Sequence, residues 1–504
     1  MRLGIDLGTT RTVVARVDRG NYPVLTFNDT DGDPHEHVPS VVALHEGEVV
    51  YGFEAVAAER AGASSLRSFK RILGDANTTP HTMVEVGERS LPITEVLVGF
   101  LRALAREVTE RIDPALDSPA LEAVVSVPAH AHTTQRYLTL EAFRQAGFTV
   151  LALVNEPSAA GFEFTHRQTR AFSSRRSQVL VYDLGGGTFD ASLVEAEGNR
   201  HDVIGSVGVN RLGGDDFDAV LAAAVLDAAG TELASQVTRM QRRRLLEDCR
   251  EAKESLTPQT RRLVLEVGGA DVVVSVDDFY ARATSLVLAS VDAMEPLVGK
   301  LEDENAESPL TAVAGVYLVG GASGLPLVAR VLRERFGRRV HRSPYPAAAT
   351  AIGLAIAADP VSPFTLRERL SRGFGVFREG DGGATLAFDE IFAADVELPD
   401  VGSHTVSRRY RPAHNIGLFR FVEYSATGDD GQPLGELVPV MESRFPFAPH
   451  LQDLSPAELG VVPVARTGAQ ETNLVEESYT ITPDGQISLT ITDLDTGYQV
   501  TTAR

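Results

Sequence analysis

The stretch LGIDLGTTRTVVARV, Leu3 to Val17, sets one aspartate and a Gly-Thr-Thr turn between two apolar runs. The chain repeats the arrangement at LVYDLGGGTFDASLV, Leu180 to Val194. Strand-forming residues on both sides of a short glycine turn describe a β-hairpin. Glycine lets successive backbone N–H groups approach an anion closely. Gly8, Thr9 and Thr10 in the first turn, and Gly185, Gly186, Gly187 and Thr188 in the second, are therefore candidate phosphate contacts. A carboxylate does not bind phosphate, but it holds Mg2+ through water, because that ion keeps much of its hydration shell. Asp6 and Asp183, each at the end of an apolar strand, are the candidate metal-facing carboxylates, and Asp190 follows the second turn. Two such hairpins facing each other would clamp a polyphosphate and its metal between two related halves. A third glycine turn, Gly320-Gly321 in YLVGGASGLP, lies between an apolar strand and a helix start. Free N–H groups and the helix dipole favour a nucleotide there. Any one of these turns alone is explained as an ordinary turn. Three, each directly after an apolar strand, are not.

Composition narrows the remaining classes. A length of 504 residues suggests roughly three units of about 150 residues each, and 43% hydrophobic residues suffice for a sizeable core. Net charge is −22, from 69 acidic and 47 basic residues. That balance argues against nucleic acid or an anionic membrane as the main partner, since both attract cationic surfaces. Cys249 is the only cysteine, which excludes an intramolecular disulfide and a thiolate zinc cluster. The start, MRLGID, has no apolar signal region, and no window reaches the ~18 apolar residues of a membrane span. A cytoplasmic protein is expected.

Residues 1 to about 360 alternate strand-like and helix-like segments, including strands at Leu3–Ile5, Ala123–Val127 and Val179–Tyr182 and helices at Glu95–Ile112 and Pro326–Phe336. This alternation indicates an α/β architecture with parallel strand pairs. After about residue 373 the helical period gives way to short alternating segments separated by turn signals such as TGDDGQP and TPDGQ. An all-β sandwich is expected over 373–504, with a linker at 361–372 where Pro360 and Pro363 oppose continuous helix.

Several motifs occur in a fixed order: GIDLGTT (Gly4–Thr10), VPS (Val38–Ser40), KRILG (Lys70–Gly74), VSVPA (Val125–Ala129), NEPSAAG (Asn155–Gly161), YDLGGGTFD (Tyr182–Asp190), RLGGDDFD (Arg211–Asp218) and LVGGASGLP (Leu318–Pro326). The set resembles the seventy-kilodalton heat-shock chaperones, the DnaK-like proteins, within the actin and sugar-kinase superfamily. The resemblance covers essentially the first 360 residues and, more faintly, the β tail. It implies a two-lobed actin-like ATPase domain followed by a β-sandwich, with ATP/ADP and Mg2+ as cofactors. Lys70 and Glu156 would position and activate the attacking water, and Asp183, Thr188 and Asp190 would work beside them near the γ-phosphate. Gly213, Gly214, Lys253, Thr257, Gly320 and Gly321 would complete the nucleotide contacts, and Pro128 and Arg136 would relay nucleotide state. Without the motif, Lys70 reads as a solvated charge beside Arg71, and Glu156 as a helix-start acid after Asn155, a good N-cap.

The chain also departs from that family. Arg250 stands where an acid usually contacts the ribose, Gly324 where an arginine usually stacks on adenine, and Tyr345 where an aspartate is usual. The linker, PFTLRERLSR, has only Phe364, Leu366 and Leu370 as apolar anchors, and Ala152 replaces an arginine of the region that docks J-domain partners. For the tail, Val376, Val406, Ile416 and Leu418 are candidates to line a peptide groove, with ordinary core packing as the alternative. No helical lid is expected before Arg504. The function expected is an ATP-dependent chaperone that binds unfolded or extended apolar peptide, assisted by a J-domain co-chaperone and an exchange factor. A nucleotide-sensing scaffold with little turnover is the first alternative, and a small-molecule kinase of the same superfamily the second.

Overall fold

The computed structural model describes residues 1–112, 120–167, 177–299, 313–380, 384–428, 430–468 and 472–503. These group into two compact units. The first comprises Met1–Asp75, Pro80–His130 and Glu141–Leu366, and the second Ala76–Thr79, Ala131–Leu140 and Arg367–Arg504.

In the first unit, strands β1 (Arg2–Leu7) and β2 (Arg11–Arg16) form an antiparallel hairpin, with Leu3 opposite Arg16 and Leu7 opposite Thr12. Around it lie β3 (Val38–Pro39), β4 (Leu121–Val127) and β5 (Phe148–Asn155), in the order β5-β4-β1-β2-β3. β1 and β4 run parallel. A second sheet repeats the plan. Its hairpin is β6 (Gln178–Leu184) and β7 (Phe189–Glu197), followed by β8 (Arg200–Val209), while β9 (Val313–Val319) runs parallel to β6. With β10 (Val340–Arg342) and β11 (Thr365–Arg367) the order is β10-β9-β6-β7-β8-β11. Apolar runs at β1, β4, β6 and β9 are buried on both faces, as strands covered by helices must be.

Two helices fill the space between these sheets. Glu156–Arg167 packs Phe162 against Val13 and Ala15 of the first sheet and Phe164 against Val179 and Val181 of the second. Ala349–Ala358 is buried nearly throughout. Small residues make this close packing possible: a Cβ on Gly353 would lie 1.7 Å from the Ala159 carbonyl oxygen, and one on Gly4 2.2 Å from the Ala355 nitrogen. Part of the expected linker is ordered within this unit, where β11 lies beside β8 and the Phe364 ring packs edge-on against Phe162 and His166.

The second unit is an antiparallel β-sandwich. One sheet has the order β13-β12-β15-β16, from β12 (Gly373–Gly380), β13 (Thr385–Phe392), β15 (Ile416–Tyr424) and β16 (Val438–Pro446). The other runs β14-β17-β18-β19, from β14 (His404–Tyr410), β17 (Val475–Ile481), β18 (Ile487–Asp493) and β19 (Gln499–Ala503). Alternation in β17 and β18 buries Val475, Tyr479, Ile487, Leu489 and Ile491 against Phe374 and Phe421, whose rings stack 5.3 Å apart. Among the described residues of 373–504, the turns Pro449–Leu451 and Pro456–Leu459 lie outside the all-β expectation, the second following the capping residue Ser455, and the second unit also takes in part of the helix Thr133–Gln145.

Candidate nucleotide site

The turns of the two hairpins face each other across the first unit. A Cβ on Gly186 would lie 2.6 Å from the Thr10 side chain, and one on Gly187 2.6 Å from that of Thr9. The first turn is fixed from behind, since the Ser40 hydroxyl donates to the Gly8 carbonyl at 2.8 Å and Ser40 N to that of Thr10 at 3.0 Å. In the second turn, Gly185 N donates to the Thr188 carbonyl at 3.0 Å. Gly213 and Gly214 open the helix Gly214–Ala229, and its first N–H groups bond the same hairpin: Gly214 N to Gly185 O at 2.9 Å and Asp215 N to Gly186 O at 2.7 Å. Only glycine fits at 213, where a Cβ would stand 2.6 Å from the Gly187 nitrogen. The third turn closes one side. Gly320 adopts φ +82°, and a Cβ there would meet the Asp183 carboxylate at 2.3 Å.

Four carboxylates converge beneath these turns. Lys70, buried at the start of the helix Lys70–Leu73, forms an ion pair with Glu156 at the start of Glu156–Arg167. Burial alone would lower the Lys70 ammonium, but Glu156 and Asp6 outweigh it and hold it above its ordinary value. Asp6, which accepts from the Ser126 hydroxyl at 2.9 Å, is pushed up to about 7, chiefly by burial and then by Glu156. Asp190 is likewise raised to about 7 by burial and Glu156. Asp183 is raised well above the usual carboxylate range by burial, then by Glu156, Asp6 and Asp190. One ammonium does not balance four acids, so the cluster favours a further cation. Among the described residues no three ligating side chains stand close enough to hold a metal directly. Carboxylate oxygens are hard donors of the kind that hold Mg2+ through its water shell.

Arg71, absent from the sequence reading except as a neighbour of Lys70, is part of the frame. Its guanidinium donates to the Gly187 carbonyl at 2.8 and 3.0 Å and to Asp216 at 2.6 Å. Lys253 also lines the pocket, donating to the Gly214 carbonyl at 2.7 Å and pairing with Asp218 at 2.6 Å. Arg250 pairs with Asp215 at 3.1 Å and Asp218 at 3.3 Å, while Arg11 pairs with Glu254 at 2.5 Å at the mouth. Residues 11 and 254 are too far apart in sequence for any local pattern to have joined them. Thr257 is exposed, bonds the Thr260 hydroxyl at 3.0 Å and does not line the pocket. The Arg342 guanidinium lies 2.8 Å from where a Cβ of Gly324 would be, and that of Arg167 lies 4.7 Å over the Tyr345 ring.

A model of the Hsp70 family, described as Hsp70 protein, matches residues 2–370. The chain belongs to the Hsp70 family. It is 30% identical to the Chaperone protein HscA homolog of Pseudomonas fluorescens, over 99% of this chain and 77% of that one. It is 27% identical to the Chaperone protein DnaK of Mycoplasmopsis agalactiae, over 98% of this chain and 77% of the relative. With the Chaperone protein HscA of Klebsiella pneumoniae, identity is 34% over 71% of this chain and 57% of that protein. The actin-like ATPase unit with a β-sandwich and an ATP-dependent chaperone function follow from Hsp70 membership; the scaffold and kinase alternatives are not favoured. No helix among the described residues is long and apolar enough to cross a membrane.

The second unit of this Hsp70 chain contains a groove lined by Ile416 and by Leu418, whose side chain is exposed. Val376 does not reach it. It is buried in the sandwich core, and Val406 packs partly buried against that core, because inward and outward positions alternate along β12 and β14. Pro128 is buried at the end of β4 in the first unit. Arg136 belongs to the second unit, where its Nε donates to the Asp484 carbonyl at 3.2 Å.

Proposed function

We propose that residues 1–360 hydrolyse ATP in a Mg2+-dependent reaction that controls how residues 373–504 hold extended peptide. The observation carrying this reading is the buried Lys70–Glu156 pair set among carboxylates that lack enough cationic charge. When bound, Mg2+ would supply charge neutralisation to the triphosphate. Asp6 and Asp183 would hold that ion through water, and the turn N–H groups with Thr9 and Thr10 would bind phosphate oxygens. Lys70 presents a fixed ammonium to the charge that develops on the transferred phosphoryl group. Glu156 accepts a hydrogen bond from the attacking water and orients it, with Thr188 and Asp190 on the γ-phosphate side. Such chemistry is mostly positioning and charge stabilisation, which a rigid, glycine-framed cradle provides.

The peptide is held in the second unit by the groove that Ile416 and Leu418 line. A J-domain protein and a nucleotide-exchange factor complete the cycle in the cytoplasm. ATP turnover by the whole chain, with and without Mg2+, tests the reading against Lys70→Ala and Glu156→Ala. Each substitution is expected to lower turnover by about a hundredfold or more. Turnover that ignores both, or proceeds equally in EDTA, removes the catalytic assignment.

A further inference from the structure

The groove in the second unit has a volume of 1380 Å³ and two chemical characters. Phe377, Leu386, Leu418 and Val464 line it while leaving more than a third of their surface in solvent, 70% in the case of Leu386. Around these apolar side chains the lining is basic: six arginines and a histidine stand against three carboxylates, Glu379, Asp389 and Glu442. The surplus is local, because the chain as a whole carries −22.

Pairing decides which guanidiniums remain available. Arg378 is held by Asp389 at 2.7 Å and by the fully buried Glu477 at 2.6 Å. Arg408 shares Asp389 at 3.2 Å, Arg409 pairs with Glu476 at 2.5 Å, and Arg466 pairs with Glu379 at 2.9 Å. Arg420 is different: it is 73% exposed and meets Glu442 only at 3.4 Å. Arg411 is exposed and donates to the Thr472 carbonyl at 2.6 Å, with no carboxylate partner among the described residues. At physiological salt, fields from exposed charges fade within about 8 Å. The acidic remainder of the chain therefore matters little to a ligand seated in the groove, and Arg411 and Arg420 matter most.

We infer that the groove selects extended peptide in which an apolar side chain is flanked by aspartate or glutamate. The apolar residue covers Leu418 and its neighbours, and the flanking carboxylates meet Arg411 and Arg420. A lysine-flanked peptide of the same core places cation against cation. This selectivity rests on the reading of the groove as the peptide site, and the experiment separates the two.

Fluorescence anisotropy with the whole chain compares two labelled peptides that share a leucine-rich core, one flanked by glutamate and one by lysine. Two rim ion pairs in solvent correspond to a preference of about tenfold for the glutamate form. That preference shrinks toward parity at 1 M salt, where screening acts within about 3 Å. Arg411→Glu with Arg420→Glu reverses the order of the two peptides, melting curves confirming that the variant is folded. Should the variant not fold, the wild-type comparison and its salt series decide alone. Equal affinities, or a lysine preference, overturn the selectivity and leave the groove in place. Failure of both peptides to bind, or binding untouched by Leu418→Asp, overturns the groove reading and the selectivity with it.

Discussion

Asparagine at position 6 removes one negative charge from the most crowded part of the nucleotide site and keeps an oxygen for the Ser126 hydroxyl. The Asp6 carboxyl sits at about 7 in place of 3.8, raised by burial first and by Glu156 second, with Lys70 and Ser126 opposing. A carboxyl whose folded value lies above its unfolded one binds protons more tightly in the folded chain. Its contribution to stability is therefore most favourable below about pH 4 and is lost as pH rises toward about 7. The full displacement corresponds to about 4 kcal/mol at about 1.4 kcal/mol for each factor of ten. An effective dielectric of about 20, typical even of buried sites, reduces the effect to about 2 kcal/mol. Ligand-free Asp6→Asn should thus melt above the wild type at pH 8, by about 3 °C for a unit of this size. The gap should close by pH 4.5. With Mg2+ and ATP added at pH 8 the order should reverse, because only the wild-type carboxylate gains a cation. Differential scanning fluorimetry across pH 4.5 to 8, with and without ligand, reads all three effects. An asparagine variant that melts lower than wild type at pH 8 without ligand, or a gap indifferent to pH, would refute the account of the cluster.

Three further substitutions probe separate parts of the chain. Gly320→Ala adds a methyl to a φ of +82° and drives it within 2.3 Å of the Asp183 carboxylate. A loss of about 2 kcal/mol and of nucleotide affinity is expected, seen by chemical denaturation and calorimetry. Glu477→Gln leaves the Arg378 guanidinium with Asp389 alone in the sandwich, where Glu477 also accepts from Tyr410 and Tyr479. Denaturant melts should show about 3 kcal/mol of destabilisation. Arg11→Ala opens a half-exposed pair at the pocket mouth, so stability should change by less than about 1 kcal/mol while stopped-flow nucleotide association speeds up. Association slowed by that change would mean that Arg11 attracts the phosphates rather than closing the mouth.

The facing glycine turns were legible in the sequence because close backbone approach restricts which residues can stand there. Gly8, Gly186, Gly187 and Gly213 are demanded by close approach, and Asp6, Lys70, Glu156 and Asp183 each stand beside a glycine turn or at a helix start. Strand and helix positions followed for the same reason: the helix Pro326–Phe336 runs between a proline at its first turn and Gly337 beyond its end. What local pattern did not disclose depends on partners remote in the chain. Arg71 reads as a charge beside Lys70 until the fold sets it on the Gly187 carbonyl, 116 residues away. Val376 and Leu418 both sit on alternating strands of one sheet, and only the face each side chain takes in that sheet decides that one is core and the other groove. Thr257 was carried over from a motif, yet a hydrogen bond to Thr260 accounts for its hydroxyl.

The same distinction separates two kinds of position within the pocket. In the cradle, a Cβ at Gly213 would lie 2.6 Å from the Gly187 nitrogen and one at Gly320 2.4 Å from the Leu184 carbonyl oxygen, so each collides with main chain that cannot swing aside as a side chain can. Other parts of the pocket lining are built from side-chain pairs instead: Arg11 with Glu254, and Arg250 with Asp215 and Asp218. Such pairs tolerate exchange, because removing one member and supplying another from a different strand preserves both volume and charge. Gly324 illustrates it, since the guanidinium of Arg342 lies 2.8 Å from where a side chain at 324 would begin. A cation therefore stands near that turn, supplied by Arg342 of β10. Substitutions at these side-chain pairs should therefore disturb the pocket less than a side chain added at Gly213 or Gly320.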